Sequence, residues 1–272
     1  MTSPAEAQVS RADGRGAEAL RPVAIVLDPL KFAEGSVLIR AGDTQVLVAA
    51  SVENRVPGFL SGTGKGWITA EYSMLPRATA SRSAREVEKG RPSGRTSEIQ
   101  RLIGRSLRAA FDLRALGERT LILDCDVLQA DAGTRTASIT GAWVAATAAL
   151  ARLYVAGDLV AWPVVAQVAA VSVGLVDGVA LLDLDFREDQ RAEVDLNLVA
   201  TAEGRIVEIQ GTGEQRSFAR AELDRLVDVA LTGIADLAAA QRAALADRLG
   251  PVEELRSRGR TAAPAKNEKK LW

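Results

Sequence analysis

The chain has 272 residues, 47% hydrophobic and 25% charged, which fits one large soluble domain or two small lobes able to bury a sizeable core. It contains no histidine, which excludes Ser-His-Asp and Cys-His nucleophile pairs, His general bases and ordinary zinc sites together. Chemistry must run on Asp, Glu, Arg, Lys and hydroxyls, a palette suited to phosphoryl transfer assisted by a hard cation such as Mg²⁺.

In chain order, Met1 to Gly16 is polar and small and lacks the apolar stretch of a secretory signal, so no export is expected. Residues 1–12 read as a flexible N-terminus. Ser36 to Ile39 and Gln45 to Val52 form a strand pair around the Ala41-Gly42-Asp43 turn, and Trp67 to Leu75 is another extended run. A long loop follows, in which Arg77, Arg82, Arg85, Lys89, Arg91 and Arg95 face only Glu86 and Glu88. It is a plausible track for a polyanion. It lacks aromatic residues, so it would bind phosphodiester backbone rather than stack bases. The plainer reading is a merely soluble loop.

Ser97 to Leu113 reads as a helix opened by a Ser97/Gln100 capping box. Ile99, Leu102, Ile103 and Leu107 form its buried stripe, and Arg101, Arg105 and Arg108 share another face, ordinarily a solvated one. Leu121 to Leu128 alternates as a strand holding the lone cysteine, Cys125, which reads as a small buried side chain in a reducing cytoplasm. Ala137 to Leu153 is alanine-rich helix. Leu159 to Val176 is uncharged but rich in valine and holds Pro163 and Gly174, so a loop and a buried strand explain it better than a membrane span. Ala166 to Gly174 and Val179 to Asp185 read as strands, and Glu193 to Ala200 pairs with Arg205 to Gln210 across Ala202-Glu203-Gly204. Arg220 to Leu249 is an amphipathic helix that Gly250-Pro251 should stop, leaving 251–272 as a flexible tail. The two halves echo each other as strand pairs followed by helices.

Gly133-Thr134-Arg135-Thr136 lies where a strand gives way to a helix. Unpaired backbone NH groups and the positive end of the helix dipole favour an anion there, Gly133 permits close approach, and Arg135 can grip two oxygens. In the plainer alternative Gly133 only turns the chain and Thr134 only caps the helix. Asp195 shares a strand face with Glu193 and Asn197, away from Val194, Leu196 and Leu198, and Asp189 sits in the loop before it. Two such carboxylates can converge on one cation or exchange a proton.

Several stretches carry a family resemblance. Asp13-Gly14-Arg15, Leu20-Arg21-Pro22, Gly66 to Thr79 (GWITAEYSMLPRAT), Ser93-Gly94-Arg95, Glu98 to Arg105 (EIQRLIGR), Gln129 to Thr136 (QADAGTRT), Ala192 to Asp195 (AEVD) and Glu208 to Thr212 (EIQGT) resemble ribonuclease PH, in order and at the family's spacing. The resemblance implies a phosphorolytic 3′→5′ exoribonuclease that trims tRNA precursors, uses inorganic phosphate as co-substrate, releases nucleoside 5′-diphosphates and runs reversibly. It implies an α+β fold of duplicated strand-strand-helix units, with lobes at 13–155 and 156–250 and mixed sheets flanked by helices. By the same resemblance Arg95, Gly133, Thr134 and Arg135 bind phosphate. Asp189 and Asp195 act as catalytic groups and ligands of Mg²⁺ or Mn²⁺, and Arg77, Arg82, Arg85 and Arg101 handle RNA. A cytoplasmic homohexamer of three dimers, without a membrane partner, is expected. The alternatives are a non-catalytic RNA-binding ring subunit of the same fold, which would lack the arginines or the carboxylates, and a polynucleotide phosphorylase, which would need a second core.

Overall fold

Alternating apolar side chains bury one face of each sheet against helices. The computed structural model describes residues 11–86 and 90–258. Its first half runs β1 (Val23–Leu27), β2 (Gly35–Ala41), β3 (Thr44–Glu53), β4 (Trp67–Met74), α1 (Gly94–Arg108), the short α2 (Leu113–Leu116), β5 (Thr120–Gln129) and α3 (Thr134–Ala156). The sheet order is β1-β2-β3-β5-β4. Neighbours are antiparallel except β4 and β5, whose parallel pairing is made possible by the α1 crossover.

The second half runs β6 (Val168–Val176), β7 (Val179–Leu182), α4 (Phe186–Arg191), β8 (Val194–Thr201), β9 (Ile206–Gly213) and α5 (Arg220–Ser257). Its sheet, β7-β6-β8-β9, is wholly antiparallel. The architecture is thus α+β, two sheets flanked by helices, as expected.

Helix α3 packs against β2, β3, β6 and α5, and it is buried almost all round. Small residues allow the approach. A Cβ on Gly35 would lie 2.3 Å from the Ala145 carbonyl oxygen, and one on Gly141 would lie 2.8 Å from Cγ2 of Ile39. Gln241 of α5, fully buried, donates to the carbonyls of Thr140 at 3.0 Å and Val168 at 2.9 Å, tying α3, β6 and α5 together. By length and composition α3 and α5 could each cross a membrane, but α3 is the core helix. The uncharged stretch from Leu159 becomes a loop and β6, as read from the sequence.

Four expectations are corrected. Helix α1 begins at Gly94 with Ser93 as N-cap, its side chain accepting from the Thr96 amide at 3.1 Å, so Ser97 lies inside the helix. Of the arginines on α1, Arg101 and Arg105 are exposed, but Arg105 pairs with Glu208. Arg108 packs 4.4 Å from the Trp67 ring centre and donates to the Ile68 carbonyl. Helix α5 runs through Gly250-Pro251 to Ser257, because Val252 is buried in the first core and Leu255 packs beside it; this burial offsets the hydrogen bond that proline removes. Residues 251–257 are therefore helix, while 259–272 lie outside the described residues. Arg11, placed in the expected flexible N-terminus, is buried and bonded to Glu188.

Candidate active site

A cleft of about 780 Å³ opens between the two sheets, at the N-terminal end of α3. Gly133 occupies the helix N-cap position at φ +63°, directly after Ala132 at φ +56°. No side chain caps the helix there. The alternative in which Thr134 is only a cap is thereby removed: its Oγ1 instead pairs with the Tyr72 hydroxyl at 2.8 Å. The turn leaves the first amides of α3 without a side-chain acceptor, the condition for an anion site.

The turn is held from beneath. Arg21, 4% exposed, donates to Asp183 Oδ1 at 2.7 Å and Oδ2 at 3.0 Å, and to the Asp131 carbonyl. Thr44 Oγ1 donates to the Ala132 carbonyl and accepts from the Asp131 amide. Asp131 Oδ1 in turn accepts from the Phe186 amide at the start of α4.

Asp189, expected in a loop, projects from α4. An Asp185/Glu188 capping box organises that helix. Glu188 also receives Arg11 at 2.8 and 2.6 Å, and Arg11 donates to the carbonyls of Leu182 and Asp183. Arg15 adds a bond to the Asp183 carbonyl. Arg11 and Arg15 therefore fix the element that carries Asp189.

Arg95, Gly133, Thr134, Arg135, Asp189 and Asp195 all line this one cleft. Arg135 donates to Gln210 Oε1 at 3.1 Å and lies 3.7 Å from Glu98, so β9 and α1 aim it. Asn197 also lines the cleft, whereas Glu193 turns aside to pair with Arg216. Asp195 is pushed up to about 6, chiefly by burial and then by the neighbouring Asp189, with Arg135 opposing. Partial desolvation raises Asp189 too, against the pull of Arg95 and Arg135. Burial likewise raises the Cys125 thiol, leaving it no nucleophilic role.

The other basic residues fall elsewhere. Arg77, Arg82, Arg85 and Arg101 are exposed and are not part of the cleft lining, and Lys89 lies outside the described residues. Sequence reading missed Tyr72, Arg21 and Asp183 as supports, although Arg21 and Tyr72 fell within the resembling stretches.

An uncapped helix terminus, two guanidinium groups and two carboxyls line one cleft, a set of groups suited to phosphoryl transfer without histidine. Residues 19–153 match domain 1 of the 3′ exoribonuclease family and residues 166–233 match domain 2. Ribonuclease PH of Moorella thermoacetica is 59% identical over 237 residues, 87% of this chain and 95% of that protein. Among solved structures, the Archaeoglobus fulgidus exosome with RNA bound to the active site aligns with a TM-score of 0.71 at 25% identity, covering 84% of this chain and 91% of that one. Rice Rrp46 aligns at 0.69 and 21% identity over 86% and 100%, a likeness of fold.

The chain belongs to the ribonuclease PH family of 3′ exoribonucleases. Its activity is that of a phosphorolytic 3′→5′ exoribonuclease, a tRNA nucleotidyltransferase.

Proposed function

We propose that the cleft holds inorganic phosphate between Arg95, Arg135 and the N-terminus of α3, and directs it at the 3′-terminal phosphodiester of a tRNA precursor. The supporting observation is the convergence of both arginines, the uncapped turn and the two aspartates on one cavity. A phosphate oxygen bonds to the terminal phosphorus, the bond to the preceding nucleotide's 3′-oxygen breaks, and a nucleoside 5′-diphosphate leaves. The two guanidinium groups offset repulsion between the phosphate and the RNA's own charge. Gly133 and Thr134 supply backbone donors, and Gln210 and Glu98 keep Arg135 oriented. The departing 3′-oxygen takes a proton from the carboxyl pair, whose proton affinity lies nearer neutrality than that of an isolated aspartate.

Asp189 and Asp195 also suit a divalent cation. Oδ1 of Asp195 is buried without a hydrogen-bond partner, and hard oxygen donors match Mg²⁺ or Mn²⁺. Bound there, such an ion supplies charge neutralisation at the reacting phosphates.

The assembly we propose is a homohexameric ring, a trimer of dimers, in the cytoplasm. The neighbouring exosome structures support an oligomer, as do exposed apolar side chains such as Phe32 and Phe59. Arg77, Arg82 and Arg85 would serve subunit contact and RNA guidance, with Arg101 contacting RNA beside the cleft.

Arg135→Ala should remain folded and bind RNA, yet lose at least a hundredfold in phosphate-dependent diphosphate release from a 3′-extended tRNA, about 3 kcal/mol. Release within tenfold of wild type, or digestion by water to monophosphates, would overturn the proposal.

A further inference from the structure

Strand β6 is Val, Ala, Leu and Gly except for Ser172. That residue is 3% exposed, and among the described residues its Oγ has no hydrogen-bond partner. A hydroxyl taken out of water and left unpaired is costly, and such a group in a cleft wall points to something that binds there.

The fold says where the hydroxyl lies. Thr140 Oγ1 accepts from the Ala170 amide at 3.0 Å, which fixes β6 against α3. Ser172 is two residues further along the same strand face, roughly 7 Å on, and there it shares the cleft with Gly133 and Thr134. In the sheet it stands opposite Asn197, while Asp195 stands opposite Gly174. Ser172 thus lines the same cleft as the anion-binding turn and the acidic pair, one strand over from Asp195 and Asn197. Asp195 Oδ1 is unpaired as well, so the two buried atoms do not satisfy each other.

We propose that the Ser172 hydroxyl donates a hydrogen bond to an oxygen of the phosphate co-substrate, making Ser172 a further phosphate-binding residue. This rests on the reading of the cleft as a phosphate site. The guanidinium groups hold the anion by charge, and the serine adds a short neutral donor from β6 that helps set which oxygen faces the RNA end. Asn197 donates to Asp195 Oδ2 at 3.4 Å, which turns part of its amide toward the acidic pair.

The test compares wild type, Ser172→Ala and Ser172→Cys, the latter keeping the volume with a weaker donor. In the absence of phosphate the alanine variant should melt at or above the wild-type temperature, because an unpaired hydroxyl has been removed. Titration with inorganic phosphate alone should raise the wild-type Tm and raise the alanine variant's clearly less. In diphosphate release, KM for phosphate should rise about tenfold, about 1.4 kcal/mol, with KM for RNA unchanged and the cysteine variant intermediate. Phosphate KM within twofold of wild type together with an equal phosphate-induced Tm rise would overturn the assignment. An altered pH profile of kcat with unchanged phosphate affinity would also overturn it, by giving the hydroxyl to Asp195. A wild-type protein whose melting ignores phosphate would instead bring down the phosphate reading of the cleft, and this inference with it.

Discussion

Replacing Arg21 with Ala removes the support beneath the Gly133 turn. The guanidinium makes two bonds to Asp183 and one to the Asp131 carbonyl, and the Asp183 side chain is itself only 7% exposed. After the substitution Asp183 keeps the Arg21 backbone amide at 2.8 Å and the Arg15 guanidinium at 3.8 Å, but loses its bidentate partner. Breaking a buried pair on one side costs roughly 3–5 kcal/mol, against a total stability of about 5–15 kcal/mol for a domain. Urea unfolding should therefore show a much lower midpoint with an unchanged slope. The double variant Arg21→Ala/Asp183→Ala should lose less than the sum of the two single variants, by about 1–3 kcal/mol, since it leaves no unpaired charge. Phosphate KM should rise in Arg21→Ala as the turn loosens. A single-variant loss below about 1 kcal/mol, or strict additivity in the cycle, would refute the view that this pair holds the turn.

Other outcomes follow from the same structure. Asp195 has a folded-state pKa near 6 against an ordinary 3.8, so the stability its proton contributes is fully present below about pH 4 and is lost as pH rises through 6. In protein stripped of divalent ions, Asp195→Asn should gain on wild type by up to roughly 3 kcal/mol between those limits, and parallel Tm–pH curves for the two proteins would contradict this. Gly35→Ala drives a methyl into the α3 backbone at Ala145 and should cost about 1–3 kcal/mol or more; a Tm equal to wild type would mean the helix can retreat from β2 freely.

Long periodic elements were legible in the sequence because their burial is one-sided: β3, β5 and α1 alternate or repeat as their neighbours require. The failures have local causes. β1 carries little signal in the sequence, because its five residues are all apolar and pair with β2 at the sheet edge while remaining partly exposed. α4 is too short to show helical periodicity, though its Asp185-x-x-Glu188 box was present to be read. The stop assigned to Gly250-Pro251 failed because tertiary burial of Val252 outweighs a local breaker. At the site, the turn before α3 and the aspartate pair were legible as chemistry. That they share one cavity was carried by the family resemblance, since spacing along the chain does not encode which strands meet. The Arg21–Asp183 pair joins residues 162 apart, and no local pattern announces it.

The anchoring of α4 by Arg11 sets an order of events during synthesis. A six-residue helix has no stability of its own, and the bond that seats it spans 177 residues of chain. On a ribosome the Gly133 turn and its arginines emerge well before residue 188 does. The phosphate grip waits as well, because Asp183 braces the turn and Gln210 orients Arg135, so competence arrives only when Arg11 and Arg21 close over segments made much later.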